Sequence, residues 1–128
     1  IRDELQSRGL GDVYKRQEQQ CQQLYHSWGI RIPDINCSYL TSAVGVVYGT
    51  SQKLAIRKEI LQAVSEQYGV SVSAVDSGIR RMIDQLEAKP AEGWTQFKAE
   101  SGFEAEKPTT GKLIYAIKRY LIQQKSRE

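Results

Sequence analysis

Three side chains that can bind nucleic-acid bases recur along one predicted helix. Ser73, Ser77 and Arg80 stand at positions i, i+4 and i+7, a spacing that places side chains on one face of an α-helix. An arginine guanidinium can donate two hydrogen bonds to O6 and N7 of a guanine, and serine hydroxyls can bond to bases or phosphates. The spacing therefore predicts a polar face suited to the edges of base pairs.

Neighbouring residues extend this face into a candidate DNA-binding set. We expect the small Ala74, near the start of the helix, to permit close approach, and the cations Arg57, Lys58 and Arg81 to contact phosphates. The full set consists of residues predicted to lie on or beside the face, namely Ser71, Ser73, Ala74, Asp76, Ser77, Arg80, Arg81, Arg57 and Lys58.

A pair of helices joined by a short turn must position this face. Apolar spacing predicts helices over residues 53–68 and 72–87. Between them, Gly69 suits a left-handed helix cap, Ser71 suits the first cap of the next helix, and we expect Val70 to pack between the two helices. A three-residue turn containing glycine is typical of a helix-turn-helix, whose second helix enters the major groove of DNA.

The second helix of the pair has a clear apolar stripe. We expect Asp76 and Asp84 to point outward with the serines and arginines. The predicted inward residues are Val75, Ile79, Met82, Ile83 and Leu86. An ordinary antiparallel helix pair with a solvated face explains the pattern equally well, because only two arginines distinguish this one.

Helical spacing recurs elsewhere, and no alternating strand pattern persists. We expect Trp28 and Trp94 to anchor the core. The remaining predicted segments are helix 18–28, connector 30–36, helix 38–48, a break at 49–51, a short helix around 94–97, polar loop 99–108 and helix 110–124. The predicted fold class is an all-α compact bundle of about six helices that contains a helix-turn-helix.

Composition and motifs narrow the function classes. The 128 residues fit one domain, and the net charge of +3 makes the location of the cations more informative than their sum. Cys21 and Cys37 form no CxxC pair and His26 is the only histidine, so we expect two reduced thiols near the core and no metal.

No nucleotide loop or metalloprotease motif occurs, and residues 109–111 suit either a phosphate or a helix cap. We expect no enzyme activity and no cofactor.

The N-terminus differs in character from the rest. Residues 7–17 read Ser-Arg-Gly-Leu-Gly-Asp-Val-Tyr-Lys-Arg-Gln, which looks like translated library adapter. We therefore expect residues 1–17 to be a non-native leader and residues 18–128 to be the helix-turn-helix effector domain. No apolar segment suits a signal peptide or a membrane span, so we expect a cytoplasmic protein.

Three separated blocks resemble one known family. Residues 28–31 with 38–48, residues 60–83, and residues 106–111 are similar, in the same order and spacing, to the effector domain of the stage zero sporulation protein A family. The resemblance covers residues 18–124. It implies a six-helix bundle that binds a short DNA box through a helix-turn-helix, acts in bacterial transcription and sporulation, and normally follows a phosphorylatable response-regulator receiver domain.

The resemblance also implies partners and site residues. Double-stranded DNA is the expected partner in the major groove, and RNA polymerase is a candidate partner. The sequence pattern leaves no heptad seam or long apolar face outside the core positions, so we expect a monomer that pairs on DNA. Ser73 and Arg80 match polar or basic positions of the family's recognition helix, Arg81 replaces a histidine, and Asp76 replaces a glutamate.

Some positions depart from the family pattern. Ala74 and Ser77 replace arginines, and residues 33–36 replace another family stretch. These departures favour a relative with a different DNA preference. They also keep open the alternative of a helical protein-interaction module that has lost DNA binding.

Overall fold

The computed structural model describes residues 16–30, 34–49, 53–104 and 106–127, and this part of the chain is all-helical. The helices are α1 (16–27), α2 (Ile35–Tyr48), α3 (Gln62–Tyr68), α4 (Val72–Ala88), α5 (Glu92–Ser101) and α6 (Thr110–Arg127), with a π-helical segment (Ile56–Leu61) leading directly into α3. The predicted all-α bundle of about six helices is therefore confirmed. No helix among the described residues has the length and apolarity to cross a membrane.

Helix α2 begins three residues earlier than residues 38–48 predict. The Asp34 carboxylate accepts a hydrogen bond from the backbone N–H of Cys37 at 3.0 Å, which caps the helix and allows it to start at Ile35. The predicted connector thus contains the first turn of α2. Its Pro33 lies outside the described residues, as do Thr50 and Ser51 of the predicted break.

The predicted helix 53–68 is present only from residue 56, and its first part is wider than an α-helix. The backbone N–H groups of Glu59 and Ile60 both donate to the carbonyl of Ala55, at 3.1 and 3.2 Å. Before this segment, the Tyr115 hydroxyl of α6 contacts both the N–H and the carbonyl of Leu54. A single side chain of α6 therefore satisfies two backbone groups that lie ahead of the first helical turn.

One cluster of buried side chains forms the core, and it contains the inward stripe predicted for α4. Trp28 and Trp94 are 1% and 0% exposed and meet edge to face with centroids 4.8 Å apart, so both are core anchors as predicted. The predicted inward residues of α6 are likewise buried, namely Leu113, Ile114, Ile117 and Leu121. The buried Lys98 joins α5 to α4 by donating to Glu87 at 2.8 Å.

The boundary of the predicted leader lies inside a helix. Residues 16 and 17 belong to α1, and Gln17 is only 9% exposed, so α1 begins two residues before the predicted domain start. The rest of the predicted leader, residues 1–15, lies outside the described part of the chain. Helix α5 also continues to Ser101, which shortens the predicted polar loop 99–108.

Helix α5 and the end of α1 approach so closely that Gly93 has no room for a side chain. A Cβ built on Gly93 would lie 2.1 Å from the backbone oxygen of Ser27, whereas a Cβ on Gly45 in α2 would meet nothing within 4 Å. Backbone atoms cannot move aside as a flexible side chain can. The Gly93 contact therefore fixes how α5 lies on the core.

We expect Gly93→Ala to destabilise the domain by about 2–3 kcal/mol, because the methyl group overpacks a backbone contact. Gly45→Ala is the matched control and should be neutral or stabilising by about 0.5–1 kcal/mol, since alanine is the better helix former. Urea denaturation monitored by circular dichroism measures both. If Gly93→Ala unfolds at the wild-type urea concentration, the close approach of α5 to Ser27 is wrong.

Candidate nucleic-acid interface

The turn between α3 and α4 is closed by backbone hydrogen bonds. Gly69 has φ 66°, in the left-handed region as predicted, and the N–H groups of Gly69 and Val70 both donate to the carbonyl of Ser65. The Ser71 hydroxyl accepts from the N–H of Ala74 at 3.1 Å, which confirms its predicted capping role. The turn geometry thus follows from Gly69 and Ser71.

The placement predicted for Val70 is wrong. The residue is 37% exposed and does not belong to the core or to the apolar residues packed against it. Because the backbone bonds at Ser65 already close the turn, no side chain is needed to hold it. Val70 instead adds a small apolar surface immediately before α4.

The solvent face of α4 carries most of the predicted set. Arg80 lies in the middle of this face, and Lys58 and Arg57 are exposed on the neighbouring π-helical segment. The exposed residues at the start and along the face of α4 are Ser71, Ser73, Ala74, Ser77, Arg80, Arg81 and Asp84. The structure therefore brings the predicted base-contacting and phosphate-contacting residues to adjacent elements.

The predicted outward position of Asp76 is wrong. This residue is 7% exposed, because the second turn of α4 faces the π-helical segment and the start of α6. Its Oδ1 accepts from Arg80 Nε and from the hydroxyl of Thr110, both at 3.2 Å, and its Oδ2 accepts from Arg57 Nη1 at 3.1 Å. The Asp76 carboxylate accepts hydrogen bonds from three donors within the protein. It is therefore no longer a candidate for direct contact with DNA.

Part of this cluster was visible in the sequence. An aspartate four residues before an arginine, as in Asp76 and Arg80, is a common helical ion pair. Arg57 and Thr110 lie 19 and 34 residues away from Asp76, so local spacing gives no signal for them. Sequence reasoning therefore missed that one carboxylate joins two of the candidate cations.

Both arginines remain accessible despite their ion pairs. The side chains of Arg57 and Arg80 are 58% and 70% exposed, whereas the side chain of Asp76 is 11% exposed. Further along α4, Asp84 pairs with Lys107 from the loop before α6. The face consequently combines exposed cations with two carboxylates that offset part of their charge.

The start of α6 is capped by its own residues. The Thr109 hydroxyl accepts from the N–H of Lys112 at 3.2 Å, and the buried Thr110 donates to Asp76. The hydroxyls of both threonines are therefore engaged within the protein. The sequence predicts either a phosphate site or a helix cap at residues 109–111, and in the structure these residues cap α6.

A groove of about 560 Å³ between α1 and α2 is the main alternative location for a functional site. Cys21, Cys37 and Tyr25 line it, and the Tyr25 hydroxyl hydrogen-bonds to Thr41 at 2.9 Å. Burial raises the pKa of Cys21 to about 11, and it raises the pKa of Cys37 and of Tyr25 as well. Protonated thiols are poor nucleophiles, so the raised pKa values disfavour the use of either cysteine as a nucleophile.

Both cysteines are free and buried, as expected from the sequence. No group of three or more potential metal ligands occurs in the described part of the chain.

Comparison of the sequence with protein families, with curated proteins and with solved structures finds no match in any of the three. The resemblance to the sporulation family therefore stays a prediction.

We expect both thiols to react slowly with a disulfide reagent in the native protein. With a pKa of about 11, only about a thousandth of Cys21 is ionised at about pH 8, and its burial also blocks access. The measurement is the labelling rate with and without denaturant, where the unfolded chain is the control. If Cys21 is labelled in the native protein as fast as in the unfolded chain, the burial of its thiol is wrong.

Proposed function

We propose that the domain binds double-stranded DNA through a helix-turn-helix formed by α3 and α4, and that it regulates transcription without covalent chemistry. The observation that carries the proposal is the exposed face of α4, where Arg80 is flanked by small polar side chains and by Arg57 on the adjacent segment. The three-residue turn at residues 69–71 supports it, because a short link lets α4 project away from α3.

Seven of the exposed residues have a role in the proposed complex. Arg80 reads a guanine, Ser73 and Ser77 contact bases or phosphates, and Ala74 allows the helix start to approach the groove. Arg81 and Lys58, together with Arg57, contact the sugar-phosphate backbone. Asp76 has no direct contact with DNA in this proposal, since its carboxylate already accepts three hydrogen bonds.

The wider context rests on the sequence resemblance. We propose a bacterial, cytoplasmic regulator related to the sporulation effector domains, with RNA polymerase as a partner and a receiver domain upstream in the gene. Ala74 and Ser77 stand where that family has arginines, so its DNA preference differs from theirs. A sequenced upstream reading frame that encodes no receiver domain would remove that part of the proposal.

The alternative is a helical protein-interaction module. The observations favouring it are the exposed Val70 beside α4 and the partial neutralisation of Arg57 and Arg80 by Asp76. Gel shifts at increasing salt separate the two functions, because contact with Z phosphates gives a log–log slope of roughly −0.9Z. Absence of any salt-dependent shift would favour the interaction module.

We expect Arg80→Ala to cost about 1–3 kcal/mol of specific binding and to relax the preference at one base pair. Arg80→Lys should restore only part of this loss, because lysine lacks the planar fork that pairs with guanine. Arg57→Ala should weaken binding to all sequences and reduce the salt slope by about one. Selection from a randomised duplex pool, followed by titration of each variant, measures these effects.

Lys89→Ala is the matched control for Arg80→Ala, because Lys89 is an exposed cation at the far end of α4. It should leave the selected base preference unchanged. If Arg80→Ala binds the selected site as tightly as the wild type, the assignment of α4 as the recognition helix is wrong.

We also expect the domain to be monomeric alone and to pair on DNA. The exposed large apolar side chains of the described residues are Ile35, Val70 and Ile122, and they belong to three different elements. They therefore form no single long apolar seam of the kind a helical dimer needs. Light scattering at micromolar concentration measures the mass, and a stable dimer without DNA would contradict this expectation.

A further inference from the structure

The cluster around Asp76 suggests how the two arginines of the proposed interface are controlled, and the inference rests on the DNA-binding function proposed above. The donors to its carboxylate come from three elements: Arg57 from the π-helical segment, Arg80 from α4 and Thr110 from the start of α6. Asp76 and Thr110 are 7% and 6% exposed, so the acceptor is held in a buried position.

The contact made by Arg80 leaves its recognition atoms available. Arg80 donates to Asp76 through Nε, so its two terminal nitrogens are not the donors of this hydrogen bond. Pairing with O6 and N7 of a guanine needs two parallel donors of the guanidinium. Asp76 can therefore hold the side chain while the two terminal nitrogens, on a side chain that is 70% exposed, face a ligand.

Holding the arginine in place has a thermodynamic consequence. A free arginine side chain loses rotamer entropy when it is fixed, and an arginine already held by a carboxylate loses less on binding. Arg57 is held by the same carboxylate, so the positions of the two guanidinium groups are linked through Asp76. The contact of Arg80 with a base and the contact of Arg57 with the DNA backbone then have a fixed position relative to each other.

The carboxylate also lowers the attraction for DNA in general. The two guanidinium groups and Asp76 together carry a net charge of +1 in place of +2. Attraction to phosphates depends on charge and carries no sequence information. Asp76 therefore reduces binding to every sequence while it favours the geometry needed at the correct one.

We infer that Asp76 is a positioning residue that determines DNA specificity, by fixing Arg80 for base contact and Arg57 for backbone contact while limiting non-specific attraction. This assigns to a buried residue a role in the selectivity of the exposed face. It predicts opposite changes in specific and non-specific binding when the carboxylate is removed, a result that simple loss of folding would not produce.

The test uses the full chain, the duplex selected by the wild type, and a duplex of scrambled sequence, titrated at several salt concentrations. Asp76→Asn should bind the scrambled duplex about threefold to tenfold more tightly at low salt, because one negative charge is lost. The ratio of specific to non-specific affinity should fall at least about tenfold, which corresponds to one poorly made base contact.

Asp84→Asn is the matched control for charge. Asp84 lies on the same helix, is 57% exposed and pairs with Lys107 from the loop before α6. Its loss should tighten non-specific binding in the same way and leave the affinity ratio within about twofold of the wild type. In an Arg80→Ala background, Asp76→Asn should cause no further loss of selectivity through Arg80.

Circular dichroism shows whether Asp76→Asn keeps the wild-type fold. A second variant tests the inference independently of that result. Thr110→Val removes one bond to Asp76 but keeps its charge, so it should lower the affinity ratio without tightening non-specific binding. If the wild type selects a site but both variants keep its affinity ratio, the inference about Asp76 is overturned and the proposed function stands. If the wild type selects no site, both are overturned.

Discussion

A carboxylate with little access to water needs hydrogen-bond donors in place of the water it has lost. Asp76 obtains them from α4 itself, from the π-helical segment and from the first residue of α6. Meeting that requirement brings the three elements together at one point, beside the exposed face of α4. The location of the candidate cations therefore depends on the same interaction that joins the middle and the end of the chain.

The contrast between Asp76 and the rest of α4 shows how far the sequence can predict this site. The apolar stripe and the caps at Ser71 and Gly69 depend on residues within one or two helical turns, so local spacing predicts them. Asp76 follows the buried Val75 at the edge of that stripe, where periodicity alone does not decide between core and solvent. Its partner Thr110 comes from another helix, and only the folded chain shows that contact.

The same distinction explains the other differences between expectation and structure. The early start of α2 depends on a cap that Asp34 supplies, whereas local spacing alone places Asp34 in the connector. The π-helical segment lies where Tyr115 engages the backbone of Leu54, a contact 61 residues apart in sequence. The sequence predicts Val70 between the two helices, but backbone hydrogen bonds to Ser65 close the turn without its side chain. Helix identity thus follows from local pattern, whereas exact ends and exposures depend on distant contacts.

The charge near α4 bears on how the proposed function would work. Among the candidate cations Arg57, Lys58, Arg80 and Arg81, the first and third are paired with Asp76, and further along the helix Asp84 and Lys107 form a pair with no net charge. A face with so few uncompensated charges neutralises few phosphates, and the electrostatic part of DNA affinity grows with that number. Two copies on neighbouring half-sites would double the number of phosphate contacts, and the second contact would form at a high effective concentration. Pairing on DNA is therefore the arrangement in which a weakly charged recognition face could combine adequate affinity with high selectivity.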